Sequence, residues 1–295
     1  MVAKIIDGKR IAEELQSEIK QEVSKLKEKG IIPGLAVVLV GENPASHVYV
    51  KNKSIACEKI GIYSDTIKMA ESTKEEELLK LIDKLNEDKK FNGILVQLPL
   101  PKHINESRVL NRIKPEKDVD GFHPVNIGKL VQGEEFFLPC TPAGIQQLLI
   151  RNNVEIAGKH VVVVGRSNIV GKPIANILLQ KKEHANATVT ICHTGTKDIP
   201  NYTKQADILI VAAGKAEVIT GDMIKENAVV IDVGINRIED PVTKKPKLVG
   251  DVHFESASQK ASLISPVPGG VGPMTVTMLL VNTVKAAKQQ SELKE

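Results

Sequence analysis

KHVVVVGRSNIVGKP, residues 159–173, is the stretch that decides how this chain folds. Four consecutive valines make an apolar run of the kind found in a strand buried on both faces. The glycine-rich turn GRSNIVG (165–171) follows at once, and Pro173 stands where a helix takes its first turn. Strand, turn and helix start in this order are the surroundings a dinucleotide pyrophosphate needs, because unpaired amides and the helix dipole face its charge. The spacing departs from GxGxxG: Ser167 replaces the second glycine and Gly171 comes one position late. By itself the turn also suits an ordinary tight turn of an α/β fold.

Working outward, ATVTICH (187–193), DILIVAAG (207–214) and AVVIDVGIN (228–236) repeat the apolar-run pattern, with helices expected after Gly171 and near 201–206. Strands alternating with helices of this length predict a parallel, doubly wound sheet of the Rossmann type. An NAD enzyme would place an acidic residue about 20 positions after the turn. This chain has Cys192, His193 and Thr194 there, so no carboxylate repels a 2′-phosphate. Arg166 offers positive charge and Thr194 a hydroxyl donor, and NADP is the expected cofactor. Further cofactor candidates fall in the turn (Gly165, Ser167, Ile169, Val170) and at later strand ends (Ala213, Gly214, Ile235 and Gly270), where ligands of open sheets bind.

Before this region the text is also α/β. Ile11, Leu15, Ile19, Val23 and Leu26 recur at helical spacing, and GLAVVLVG (34–41) and GILVQL (93–98) read as buried strands. Asn43-Pro44 caps a helix expected over 45–60, and Leu78 to Leu85 marks another. Residues 114–142 read as loop, with a helix expected over 143–152. The expected domains are 1–142, joined by a C-terminal helix from 276–295, and 143–275. Tyr49 and Lys53 lie four apart, so they project from one helix face, and Gln97 ends the second strand just before a proline stop. These three are the candidate catalytic group. Asp118 and Asp120 share a face of an extended segment, a pattern that can hold a divalent ion; with only His123 beside them, no metal is expected. An aspartate here can instead accept paired hydrogen bonds from an amino-substituted heterocycle.

Composition narrows the classes. The net charge of +4 is spread along the chain, and aromatics make up only 3% with no tryptophan, which argues against nucleic-acid binding. Three distant cysteines form no CxxC pair, so neither a disulfide framework nor a cysteine zinc site is expected, and a cytoplasmic location fits. No apolar stretch reaches membrane-helix length, so no membrane partner is expected.

Six stretches carry a resemblance. VGENPASHVYVKNK (40–53), GILVQLPLP (93–101), DVDGFHPVNIGKL (118–130), PCTPAG (139–144), GRSNIVGKP (165–173) and PVPGGVGPMT (266–275) closely resemble the bifunctional methylenetetrahydrofolate dehydrogenase/cyclohydrolase family, in order over nearly the whole chain. The resemblance implies two α/β domains with a cleft between them, usually in a homodimer. It implies NADP-dependent oxidation of methylenetetrahydrofolate and then hydrolysis of methenyltetrahydrofolate to formyltetrahydrofolate. On that pattern Tyr49 stacks on the pterin, Lys53 is the principal catalytic residue, Gln97 supports it and Asp120 holds the pterin. Pro268 and Gly269 join the substrate contacts, while Thr141, the GRS turn and Gly270 lie around the cofactor. KKEHAN (181–186) is a short insertion relative to the family. Two other readings stand beside this one: a dehydrogenase of another small substrate on a similar frame, and a folate- or nucleotide-binding protein without catalysis.

Overall fold

The computed structural model describes residues 2–239 and 244–292. In chain order the strands are β1 (Lys4–Ile5), β2 (Gly34–Val40), β3 (Tyr63–Met69), β4 (Gly93–Val96), β5 (His160–Val164), β6 (Thr188–Cys192), β7 (Ile208–Val211), β8 (Val229–Asp232), β9 (Asn236–Glu239), β10 (Pro246–Val249) and β11 (Leu263–Ile264). The helices are α1 (Gly8–Glu28), α2 (Pro44–Ile60), α3 (Glu75–Glu87), α4 (Glu106–Leu110), α5 (Pro124–Gln132), α6 (Cys140–Arg151), α7 (Gly171–Leu179), α8 (Ile199–Thr203), α9 (Phe254–Ser258) and α10 (Val271–Glu292). They form two compact units, and the divisions fall inside α1, α6 and α10. One unit is Glu13–Cys140 with the chain from Val276 onward; the other is Thr141–Thr275 with the segment up to Ala12.

The first unit is built on a three-stranded parallel sheet in the order β3-β2-β4. Its central strand is buried at every position, which is why its sequence is an unbroken apolar run. Val38 pairs with Ile67 on one side and Val96 on the other. Val38, Val40, Ile94 and Val96 pack with Ile82 and Leu85 of α3 into one core. The apolar stripe of α1, Leu15, Ile19, Val23 and Leu26, is buried, and Gly30 ends the pattern with a φ of 74° that a β-carbon would disfavour.

The second unit holds a six-stranded sheet, all parallel, in the order β1-β11-β8-β7-β5-β6. From β5 the chain goes to β6 on one side and returns to β7 on the other. That reversal opens a crevice at the C-terminal ends of β5 and β7, the usual ligand position in such sheets. Val162, Val164, Leu209, Val211, Val230 and Ile264 form one core face with Ile219, Val252 and Ala257.

Three features differ from the sequence expectation. β3 is a strand that periodicity did not flag, and α5 forms within the stretch read as loop, with Pro124 as its first residue. The first dozen residues, expected in the N-terminal domain, join the six-stranded sheet because β1 pairs parallel with β11, Lys4 against Leu263. Among the described residues no helix is long and apolar enough to cross a membrane.

Candidate active site

Helix α2 begins after Asn43, whose Oδ1 accepts the Ser46 amide at 3.2 Å and caps the free end. Its register places Tyr49 and Lys53 one turn apart on one face. Lys53 is only 8% exposed, unusual for an ammonium-bearing side chain unless it is paired. Its Nζ donates to Gln97 Oε1 at 2.9 Å. Gln97 is fixed in turn: its backbone N–H donates to Val38 O at 2.9 Å, and its Nε2 donates to Leu98 O at 2.7 Å, which leaves the amide oxygen for the lysine. Tyr49 is 40% exposed, so a ring face is open to a stacking partner.

The two aspartates of DVDG have different tasks. Asp118 is buried and accepts the His123 amide and Asn126 Nδ2, both at 2.8 Å, and its burial raises its pKa. It latches the loop internally. Burial also pushes the Asp120 carboxyl up, while the nearby Lys53 charge draws it down. Beside it, burial and then the Asp120 charge raise the Cys140 thiol well above its ordinary range, so it stays a protonated donor, here to Val119 O at 3.3 Å. From α10, Asn282 Nδ2 donates to Val119 O at 2.8 Å and to Leu138 O at 3.0 Å. These bonds fix the peptide that carries Asp120. Among the described residues no three His, Cys, Asp or Glu side chains converge as metal ligands.

In the second unit the turn after β5 lies at the crevice. Gly165 has φ 128°, and a β-carbon on it would stand 2.1 Å from Ala212 O, so the turns after β5 and β7 can approach this closely only with glycine there. Ser167 is more than a missing glycine: its Oγ accepts the amides of Val170 and Gly171, at 3.1 and 3.3 Å, where the chain enters α7. Arg166, Ile169 and Thr194 are exposed at this end of the sheet. Thr194 sits in a turn closed by the Gly195 N–H, which donates to His193 Nδ1 at 3.0 Å. Arg166 Nη1 lies within hydrogen-bond distance of His193 Nε2, at 3.4 Å.

Ala213, Gly214 and Ile235 lie on the loops after β7 and β8, and all three are exposed. Thr141 Oγ1 is 2.9 Å from Thr275 Oγ1, and Gly270 closes the PGG segment by donating its amide to Pro266 O at 2.9 Å. The proposed substrate contacts Pro268 and Gly269 belong to this second unit, whereas Tyr49, Lys53, Gln97 and Asp120 belong to the first. Sequence reasoning missed Asn282 and Cys140 beside Asp120, and Asp251 and Asp232 behind the loop after β7, where Asp251 Oδ2 accepts the Ala213 amide and Asp232 Oδ1 accepts the Asp251 amide. For Asp232 a signal existed, since an aspartate ends the otherwise apolar strand VVID.

Residues 6–120 match the family model for the tetrahydrofolate dehydrogenase/cyclohydrolase catalytic domain, and residues 139–291 match that for its NAD(P)-binding domain. The chain is 61% identical over 289 residues to the bifunctional protein FolD of Moorella thermoacetica, covering 98% of this chain and 100% of that relative. Its fold superposes with a TM-score of 0.93 on the crystal structure of the bifunctional FolD dehydrogenase/cyclohydrolase of Campylobacter jejuni, at 51% identity and with 98% and 99% of the two chains covered. A TM-score of 0.92 at 40% identity, with 99% of each chain covered, relates it to the Trypanosoma brucei dehydrogenase-cyclohydrolase solved with NADP and an inhibitor. The resemblance read from the six motifs is thus borne out: the chain belongs to the tetrahydrofolate dehydrogenase/cyclohydrolase family.

Proposed function

We propose that this chain oxidises 5,10-methylenetetrahydrofolate with NADP and then hydrolyses the 5,10-methenyl product to 10-formyltetrahydrofolate, with Lys53 as the proton-transfer group. The observation that carries this reading is the hydrogen bond of the buried Lys53 to Gln97, with Tyr49 exposed on the same helix face and Asp120 near enough to feel the lysine's charge. Such a set suits a flat, hydrogen-bonding ring with a reactive carbon above it. Tyr49 stacks on the pterin, and Asp120 accepts from its amino group and ring N–H.

NADP, when bound, supplies the hydride acceptor. Gly165, Arg166 and Ser167, with Ile169, Val170 and Thr194, would hold its adenosine and phosphate half; Thr141, Ala213, Gly214, Ile235 and Gly270 would hold the remainder, with Pro268 and Gly269 toward the folate. Arg166 is a donor suited to the 2′-phosphate. In the oxidation the protein's task is chiefly positioning, since the cation left behind is delocalised over the two folate nitrogens. Hydrolysis asks for more. As water oxygen bonds to the methenyl carbon, Lys53 takes one of the water's protons; the C–N5 electron pair then goes to N5, and the second proton of the carbinol oxygen passes to N5 as the formyl C=O forms. Gln97 Oε1 holds one Nζ hydrogen, which directs the nitrogen's lone pair elsewhere, toward the site of attack.

A homodimer in the cytoplasm belongs to the same reading, supported by family membership and by three free, buried cysteines. The test is an assay of the purified protein with methylenetetrahydrofolate and NADP or NAD, following reduced nicotinamide and methenyl product separately, with sedimentation for the dimer. Absence of NADP reduction, or a methenyl product that is never hydrolysed faster than in buffer, would overturn the proposal.

A further inference from the structure

The loop after β7 is held by a carboxylate that the mechanism above does not use. Asp251 lies between β10 and α9 and is fully buried. Its Oδ2 accepts the amides of Ala213 at 2.6 Å and Gly214 at 2.8 Å, and its Oδ1 accepts the Lys215 amide at 3.0 Å. Asn236 Nδ2, at the start of β9, donates to the same Oδ1 at 2.8 Å. A second buried aspartate stands behind it. Asp232, at the end of β8, accepts the backbone amides of Asp251 at 2.9 Å, Gly234 at 3.0 Å and Val252 at 3.0 Å. Gly250 leaves room for this stack, since a β-carbon there would meet Asp232 Oδ2 at 1.7 Å.

Three successive amides turned toward one carboxylate have a geometric consequence. In a trans peptide the N–H and C=O point in opposite directions. With the amides of 213, 214 and 215 drawn inward, the carbonyls of 212, 213 and 214 face away from Asp251. The Ala212 carbonyl packs against Gly165. A loop so arranged offers acceptors, and it suits ligand hydroxyls or a carboxamide N–H rather than phosphate.

We propose that Asp251, backed by Asp232, is a positioning residue for the nicotinamide-ribose half of the cofactor. It fixes the loop after β7 so that its carbonyls face the ligand, and ties that loop to Asn236. The inference rests on the reading that the loops after β7 and β8, together with the Arg166 turn after β5 and the turn after β6, hold NADP. Because β6 and β7 flank β5 on opposite sides, the phosphate end and the nicotinamide end of the ligand test different loops. A probe that reaches only one end separates them.

That probe is 2′,5′-ADP, which carries the adenosine and both phosphates but no nicotinamide ribose. Equilibrium titration of wild type, Asp251→Asn and Asn236→Ala with NADP and with 2′,5′-ADP reads the effect directly. Asp251→Asn replaces an acceptor by a donor that faces backbone N–H groups, and it is expected to weaken NADP tenfold or more while 2′,5′-ADP changes less than twofold. Asn236→Ala removes one donor at the protein surface and tests the same point if Asp251→Asn does not fold; a loss of about threefold for NADP alone is expected. Equal weakening of both ligands in Asn236→Ala, or of neither, overturns the inference and leaves the cofactor reading standing. A wild-type protein that binds 2′,5′-ADP and NADP not at all overturns the cofactor reading, and the inference falls with it.

Discussion

In the first unit the groups we assign to the ligand are side chains: Tyr49 and Lys53 on α2, Gln97 just after β4, and Asp120 in the loop before α5. In the second unit they are largely backbone: the turn after β5 and the loops after β7 and β8, shaped by Gly165, Ser167 and two buried aspartates. The first arrangement makes chemistry depend on single functional groups. The second makes recognition depend on the path of the chain, so that a residue touching no ligand can matter as much as one that does. Mutations should therefore split the two units cleanly, by rate in one and by affinity in the other.

The largest effect is expected at Lys53. Lys53→Met keeps length and apolar bulk but removes the amine, and cyclohydrolase activity should fall by roughly a hundredfold or more, the usual size of a lost general base. Dehydrogenase turnover should survive in part, with methenyltetrahydrofolate accumulating in the absorbance trace. Hydrolysis at the wild-type rate in a variant that still binds folate would remove Lys53 from the mechanism. Asp120→Asn comes next, turning one acceptor into a donor. Loss of a charge-assisted pair of about 1.5–3 kcal/mol should lower both activities by about ten- to a hundredfold, while chelators leave wild type unchanged. Restoration of a chelated enzyme by a divalent ion would reverse the assignment.

The second unit should respond through binding. Gly165→Ala forces a β-carbon onto Ala212 O at φ 128°, strain of about 1–3 kcal/mol before any clash is counted. NADP affinity should drop by roughly tenfold or more, with a lower melting temperature, and hydrolysis of methenyltetrahydrofolate assayed without nucleotide should fall far less. Equal losses in the two assays would break the division drawn above. Arg166→Ala should weaken NADP by about tenfold and leave NAD binding within twofold; a parallel loss of both would place the 2′-phosphate elsewhere.

The smallest effect sharpens the role of the aspartate stack. Burial pushes Asp232 up to about 7, against the three amides that pull it down. An acid raised on folding keeps its proton where the unfolded chain has lost it. Its contribution to stability is therefore fully present below about pH 4 and is lost as pH rises toward 7, after which it stays absent. Denaturant titrations between pH 5 and 8 should show wild type losing stability with rising pH, by no more than the one-proton limit of ~1.4 kcal/mol per pH unit. Asp232→Asn should lack that component, and identical slopes would mean that Asp232 does not titrate in this window.

How much of this was legible follows from burial. β2 and β5 are enclosed on both faces, so they are written as apolar runs that need no alignment to read. β3, YSDTIKM, is an edge strand with no fully buried position, and its polar residues hide it. α5 escaped because Pro124 and Gly128 resemble loop text, although proline at a first helical position is favourable. The two-residue strands β1 and β11 carry no periodicity at all. In the site, spacing put Tyr49 and Lys53 on one face, since i and i+4 is a local rule. The reach of Lys53 to Gln97, 44 positions on, was given by strand order in space, which no local rule contains. Asp118 and Asp120 looked alike on paper. Only the contacts of Asp118 with His123 and Asn126 reveal one as a latch and leave the other for a ligand.

The pairing of β1 with β11 bears on how the chain is made. Lys4 leaves the ribosome about 260 residues ahead of its partner Leu263. At about 5–20 residues per second the first strand waits roughly tens of seconds for its place. The three-stranded sheet of β2, β3 and β4 is complete by residue 96 and can form during that wait. The six-stranded sheet gains its last edge only when β11 arrives. A trigger-type chaperone or a slow stretch of translation would thus act mainly on the nucleotide-binding unit, and a protein shortened by its first six residues should show its deficit in refolding yield of that unit before it shows one in the chemistry of Lys53.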